Sequence, residues 1–190
     1  MRTFIAVELP QEIKDRLAEL QALLKKSGAD VKWAAPSNIH LTLKFLGEVD
    51  EEKLPGIIAA MESACENKKT FTATLSACGA FPKIEFPRVI WASLARGDQE
   101  VKALAQALEE RLERTGIPRE ERPFSSHITI ARVRSPQNKD KLVRALKETE
   151  NYFSGKNLGF EVNAITLFKS TLGPGGPDYE ALKKVSITPA

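Results

Sequence analysis

Both histidines of the chain sit in the same four-residue pattern. His40 opens His-Leu-Thr-Leu and His127 opens His-Ile-Thr-Ile, 87 residues apart. Other landmarks recur at nearly that distance: the apolar runs beginning at Thr3 and Arg88 are 85 apart, and Phe71 and Phe160 are 89 apart. A near-constant offset over several landmarks signals internal duplication. That constrains the fold strongly, because a unit written twice packs as two related lobes about a pseudo-two-fold axis.

Each half reads as strand, helix, His-bearing strand, helix, strand. In the first half, Phe4–Leu9 is an apolar strand. Pro10 suits a helix start, Ile13, Leu17, Leu20 and Leu24 recur at helical spacing, and Ser27-Gly28 ends the run. In residues 39–46, His40, Thr42 and Lys44 alternate with Leu41, Leu43 and Phe45, which is strand patterning. A helix capped by Asp50 and carrying Pro55 near its start runs to about Cys65, and a strand follows over 71–81. In the second half, a strand over 88–94 precedes a helix over 98–113 with Val101, Leu104, Leu108 and Leu112 on one face. A His127 strand over 125–133, a helix over 138–148 and a single strand over 160–168 complete the repeat, with a last strand near 181–187. No linker separates the halves. The expected fold is α+β: a single domain over 1–190 of two pseudo-symmetric lobes, about 1–85 and 86–190. Two antiparallel sheets should face a central groove with helices outside. The Pro- and Gly-rich run Gly173–Pro177 lacks the Lys-Ser/Thr of a phosphate loop, so a turn covering the groove is expected there.

Composition narrows the function classes. No apolar run approaches the roughly 20 residues of a membrane span, and the start Met1–Pro10 is not a secretory signal. Two cysteines, Cys65 and Cys78, cannot make a disulfide framework or a four-thiolate metal site. A cytoplasmic protein is expected, a monomer, with no metal and no cofactor. The net charge of +3 permits an anionic ligand without demanding one.

Side chains at i and i+2 of a strand share a face. His40 and Thr42 therefore point one way and Leu41 and Leu43 the other, and the same holds for His127 and Thr129 against Ile128 and Ile130. Duplication should bring the two His-Thr pairs across one groove. Two imidazoles flanking a substrate can divide acid–base work, since their ordinary pKa of about 6.5 lies near working pH. Two Thr hydroxyls can donate to the oxygens where charge grows. That set suits in-line displacement at a phosphodiester. Lys44, on the face of His40 and Thr42, is a natural phosphate contact. Strict alternation puts Arg132 opposite His127, so it reaches the site only if the strand bulges or ends near Ala131. Trp33 suits the core or a groove wall and can stack a base, while Phe45 belongs to the core.

The sequence resembles the two-histidine phosphoesterase superfamily, defined by paired His-x-Thr-x strands. More closely it is similar to the RNA 2′,3′-cyclic phosphodiesterase family, formerly called 2′-5′ RNA ligase. The resemblance runs through Arg2–Pro10, Val31–Val49, Pro87–Leu94, His127–Val133 and Leu167–Glu180. It implies hydrolysis of an RNA 2′,3′-cyclic phosphate, or a small cyclic nucleotide, to a 2′-phosphomonoester. It also implies that His40 is the proton donor and His127 the acceptor, that Thr42 and Thr129 hold the phosphate, and that Arg132 is a further phosphate ligand. One departure is Ser126, where relatives often carry Pro before the second histidine.

Two other functions fit the same residues. One is 2′-5′ end-joining of RNA, the reverse reaction in the same site. The other is a non-catalytic module that uses the histidines only to grip RNA phosphate.

Overall fold

The computed structural model describes all 190 residues. The chain runs through β1 (Arg2–Glu8), α1 (Gln11–Lys25), β2 (Val31–Trp33), β3 (His40–Glu48), α2 (Leu54–Cys65), β4 (Phe71–Lys83) and β5 (Phe86–Leu94). It continues through α3 (Asp98–Glu113), β6 (Ile128–Val133), α4 (Lys139–Thr149), β7 (Gly159–Val162), β8 (Ala164–Gly173) and β9 (Gly176–Ser186). The strands form two antiparallel sheets, a four-stranded one in the order β3-β1-β8-β9 and a five-stranded one in the order β2-β6-β5-β4-β7. The expected α+β class with two antiparallel sheets is the observed one. No helix is long and apolar enough to cross a membrane.

The helices bury the stripes that their periodicity marks. Ile13, Leu17, Leu20 and Leu24 of α1 are buried, as are Val101, Leu104, Leu108 and Leu112 of α3. They join the core-facing residues of both His strands, Leu41, Leu43, Ile128 and Ile130, in one continuous hydrophobic core. Asp50 makes no capping hydrogen bond; a 3₁₀ turn over Glu51–Lys53 leads into α2 instead.

The sheets do not follow the halves of the chain. The four-stranded sheet takes β1 and β3 from the first half and β8 and β9 from the second. The five-stranded sheet takes β2 and β4 from before residue 85 and β5, β6 and β7 from after it. The two halves are thus woven through both sheets. The expected single strand over 160–168 is two strands in different sheets: β7 pairs with β4, and β8 pairs with β1. Asn163 is the crossing point. The apolar run carries no break because Phe160, Val162, Ala164 and Ile165 are all buried on either side of it.

Within this frame the two His strands are equivalent. β3 lies beside β1, which lies beside β8, and β6 lies beside β5, which lies beside β4. Buried Gln21 of α1 joins the second His strand to the chain before the first, donating from Nε2 to the carbonyls of Ala34 (2.8 Å) and Ile130 (2.9 Å).

Candidate active site

A cavity of about 570 Å³ is lined by His40, Thr42, Thr129 and Arg132, with Phe45 and Tyr179 among its aromatic walls. His127 stands just outside this lining, two positions before Thr129 on the same extended run. It is half-buried, and its ring meets Phe81 edge-on at 5.0 Å between centroids. The Gly173–Pro177 turn lies where a groove cover was expected: Gly175, Gly176 and Pro177 line the cavity. Asn38 ties that turn to the first motif by donating Nδ2–H to the Pro177 carbonyl at 2.7 Å. A shallow polar depression of about 370 Å³ over Pro136–Lys141 contains none of the motif residues.

The two histidines are held in the same way. His40 Nδ1 lies 2.7 Å from the Asn38 carbonyl oxygen, and His127 Nδ1 lies 2.7 Å from that of Ser125. A carbonyl only accepts, so each Nδ1 carries the proton. In the neutral ring that leaves Nε2 as an acceptor, free for chemistry. The backbone is anchored around both. Lys14 donates to the Ser37 carbonyl at 2.9 Å beside the first motif. Ser126 donates to Asp98 at the start of α3 beside the second. Hydrogen bonds from Lys102 and Ser126 hold the Asp98 carboxyl below its ordinary range.

Surroundings distinguish the rings. His40 stacks on Phe4 at 4.7 Å and meets Tyr179 edge-on at 5.4 Å. That burial pulls its pKa below the ordinary 6.5. The charge of Lys14 pulls the same way, and the Asn38 carbonyl opposes both. Cys65 and Cys78 are buried elsewhere, their thiols pushed up to about 11 and about 12 by desolvation.

Beyond the Thr residues, alternation fails in both strands, at equivalent points. In the β1–β3 ladder, Ile5 faces Lys44 and Ala6 faces Thr42, so Leu43 has no partner. In the β5–β6 ladder, Ile90 faces Ala131 and Trp91 faces Thr129, so Ile130 has none. These are bulges, and each turns the following residues over. Leu43 and Lys44 are both buried, as are Ile130 and Ala131.

Two expectations fall with the first bulge. Lys44 does not share the face of His40. Its ammonium is buried against Glu109, 2.8 Å from Oε1, and donates to the Pro118 carbonyl at 2.8 Å. Phe45 is not core: it is 56% exposed and lines the cavity. The second bulge supplies what Arg132 needed, and Arg132 lines the cavity too.

Sequence patterns did not single out Arg2, Lys25 and Lys32, which also line the cavity. They come from β1, α1 and β2, so no local pattern groups them. Their only sequence signal is the exposed phase of each element.

Comparison with known proteins agrees with the repeat. The model of the family described as LigT like Phosphoesterase matches twice, over residues 7–91 and 95–179. An RNA 2′,3′-cyclic phosphodiesterase of Methanocaldococcus jannaschii is 35% identical over 184 residues, covering 97% of this chain and 99% of that one. The crystal structure of TT0787 of Thermus thermophilus superimposes with a TM-score of 0.80 at 31% identity, covering 100% of this chain and 99% of that one. Escherichia coli LigT complexed with 3′-AMP gives 0.76 at 29% identity, with 98% of each chain covered. With both halves matched in turn by one family model, the chain belongs to the LigT-like phosphoesterase family.

Proposed function

We propose that this chain hydrolyses RNA 2′,3′-cyclic phosphate ends to 2′-phosphomonoesters without a metal, using His127 as proton acceptor and His40 as proton donor. Water attacks phosphorus as His127 Nε2 takes its proton. The bond from phosphorus to the 3′ oxygen breaks, and His40 Nε2 gives that oxygen a proton. Thr42 and Thr129 donate to the non-bridging oxygens, and Arg132 balances their growing charge. Each imidazole contributes about 10²–10⁴-fold in such roles.

One observation carries this reading. Both rings are locked through Nδ1 to a backbone carbonyl, leaving each with Nε2 to work from. The names of the relatives supply the substrate class. Burial favours neutral His40 in the open groove, so the donor role draws on the anionic substrate, whose charge beside the ring favours the imidazolium. Metal independence is part of the proposal because no three His, Cys, Asp or Glu side chains cluster as metal ligands, and Glu8, opposite His40 in the ladder, is engaged by Thr166 and Lys184.

The test is turnover of an oligoribonucleotide ending in a 2′,3′-cyclic phosphate, with EDTA present, by wild type, His40→Ala and His127→Ala. Phosphorus NMR assigns the product. A 2′-phosphate from wild type, and a loss of at least about a hundredfold in each variant, supports the proposal. Chelation that abolishes turnover brings back a metal. Binding without turnover by wild type leaves a phosphate-gripping module.

A further inference from the structure

We propose that Lys25, Lys32 and Trp33 form a second anion subsite in the groove. It would take the internal phosphodiester preceding the cyclic end and make the enzyme select oligonucleotide ends over cyclic mononucleotides. This rests on the phosphodiesterase reading above.

The side chains lining the cavity include Arg2, Lys25, Lys32 and Arg132 and not one Asp or Glu. Composition does not explain that, because the chain's 28 Lys and Arg are nearly matched by 25 Asp and Glu. Outside the groove, cations such as Lys44, Lys102 and Arg119 have carboxylate partners. The side chains of these four cations make no salt bridge and donate no hydrogen bond within the protein. Like charges converging on one cavity with no acid to offset them focus a positive potential suited to a polyanion. A cyclic phosphate end carries a single negative charge, which Arg132 and an imidazolium can balance. Lys25 and Lys32 are surplus to that need.

Their placement gives the surplus a direction. Lys32 is the register partner of Arg132 on the adjacent strand, and Trp33 is that of Ala131. Neighbouring strands lie about 4.8 Å apart, so β2 carries the next cation outward from the phosphate site. Half-buried Trp33 packs against the core. The Lys25 ammonium sits 5.6 Å from its ring centroid, a cation–π contact that holds the charge at the groove wall. Arg132 and Lys32 thus form a track on one face of the β6–β2 pair, and Lys25, held over Trp33, lines the same cavity. A chain continuing in the 5′ direction offers its next phosphate to that track. A mononucleotide does not.

The test compares kcat/KM for a cyclic mononucleotide and for a trinucleotide with the same cyclic end. The proteins are wild type, Lys25→Ala/Lys32→Ala, and a charge-matched control, Lys147→Ala/Lys183→Ala. Wild type and control should prefer the trinucleotide by about tenfold or more. The groove variant should lose most of that preference through KM, and its salt dependence should flatten by roughly 0.7 in log–log slope per lost phosphate contact. An equal ratio in all three proteins, or no preference by wild type, overturns the subsite. Should wild type hydrolyse neither substrate, the phosphodiesterase reading falls. The subsite is then decided by titrating a labelled oligoribonucleotide ending in a 3′-phosphate. Weaker binding by the groove variant than by the control sustains it, and equal binding overturns it.

Discussion

Phe45 and Arg132 occupy equivalent places in the two halves, each three residues past its motif threonine and each brought to the groove by a bulge. One half therefore presents a ring and the other a guanidinium. On the proposed chemistry Arg132 meets charge that grows during reaction. Arg132→Ala should then lower kcat/KM by about 10²-fold or more. Arg132→Lys should recover only part, because an ammonium cannot form the planar two-pronged contact. Steady-state kinetics on a cyclic-ended oligonucleotide decides, and a change within about twofold for Arg132→Ala would make it an ordinary solvated charge.

The lowered pKa of His40 should show in a pH profile. The pKa of His40 is lowered, first by burial and further by Lys14. As the proposed donor, His40 must start protonated. In kcat/KM, which reports the free enzyme, the alkaline limb should therefore fall below the ordinary imidazole value of 6.5. In kcat the limb should move up, because bound phosphate favours the imidazolium. The same shift links to stability: the unfolded chain binds a proton at His40 more readily than the folded chain does. The folded state should thus hold its stability above about pH 6.5 and lose some as pH falls through the lowered folded value. An alkaline limb of kcat/KM that titrates above 6.5 would take the donor role away from His40.

The face of each motif was legible because i and i+2 share a side in any strand, whatever lies beside it. His40 with Thr42, and Leu41 with Leu43, needed only that rule. The next residue was not legible. A bulge arises where two ladders meet out of step, so the fate of Lys44 and Phe45 was decided by β1, some 40 residues away in sequence. The same limit hid the break at Asn163. An apolar run buried throughout looks identical whether it serves one sheet or two, and the choice depends on partners β4 and β1. The duplication gave equivalence between strands but not their pairing, which is why the exchange of strands between sheets had no sequence signal.

Burial of Lys44 against Glu109 makes its loss a matter of stability. Lys44→Met leaves the Glu109 carboxylate, with a side chain 18% exposed, short of its main partner. Glu109 keeps some solvent, so a cost of about 1–3 kcal/mol is expected, below the range for fully buried pairs. Thermal unfolding should come several degrees lower. Adding Glu109→Gln should restore part of the loss by removing the stranded charge. Turnover by the folded variant should stay within about threefold of wild type. A fall of a hundredfold without loss of stability would return Lys44 to the phosphate site.

Gly79 is the point where packing reaches the second histidine. A methyl added there would stand 2.5 Å from Trp91 Cη2 and 2.6 Å from Cζ2, closer than real carbons approach. The indole must therefore shift. Trp91 faces Thr129 across the ladder and packs on Phe81 at 5.1 Å, and Phe81 meets His127 at 5.0 Å. Gly79→Ala should cost about 1–3 kcal/mol as an overpacking change. It should also lower kcat more than it raises KM, because the displaced ring bears on His127, the proposed proton acceptor. Gly56→Ala is the comparison. It lies in α2 with nothing nearer than 3.7 Å, so it should leave kcat unaltered and raise stability by about 0.5 kcal/mol. If Gly79→Ala destabilises the fold with kcat intact, the Trp91–Phe81 contact supports the sheet and does not position His127.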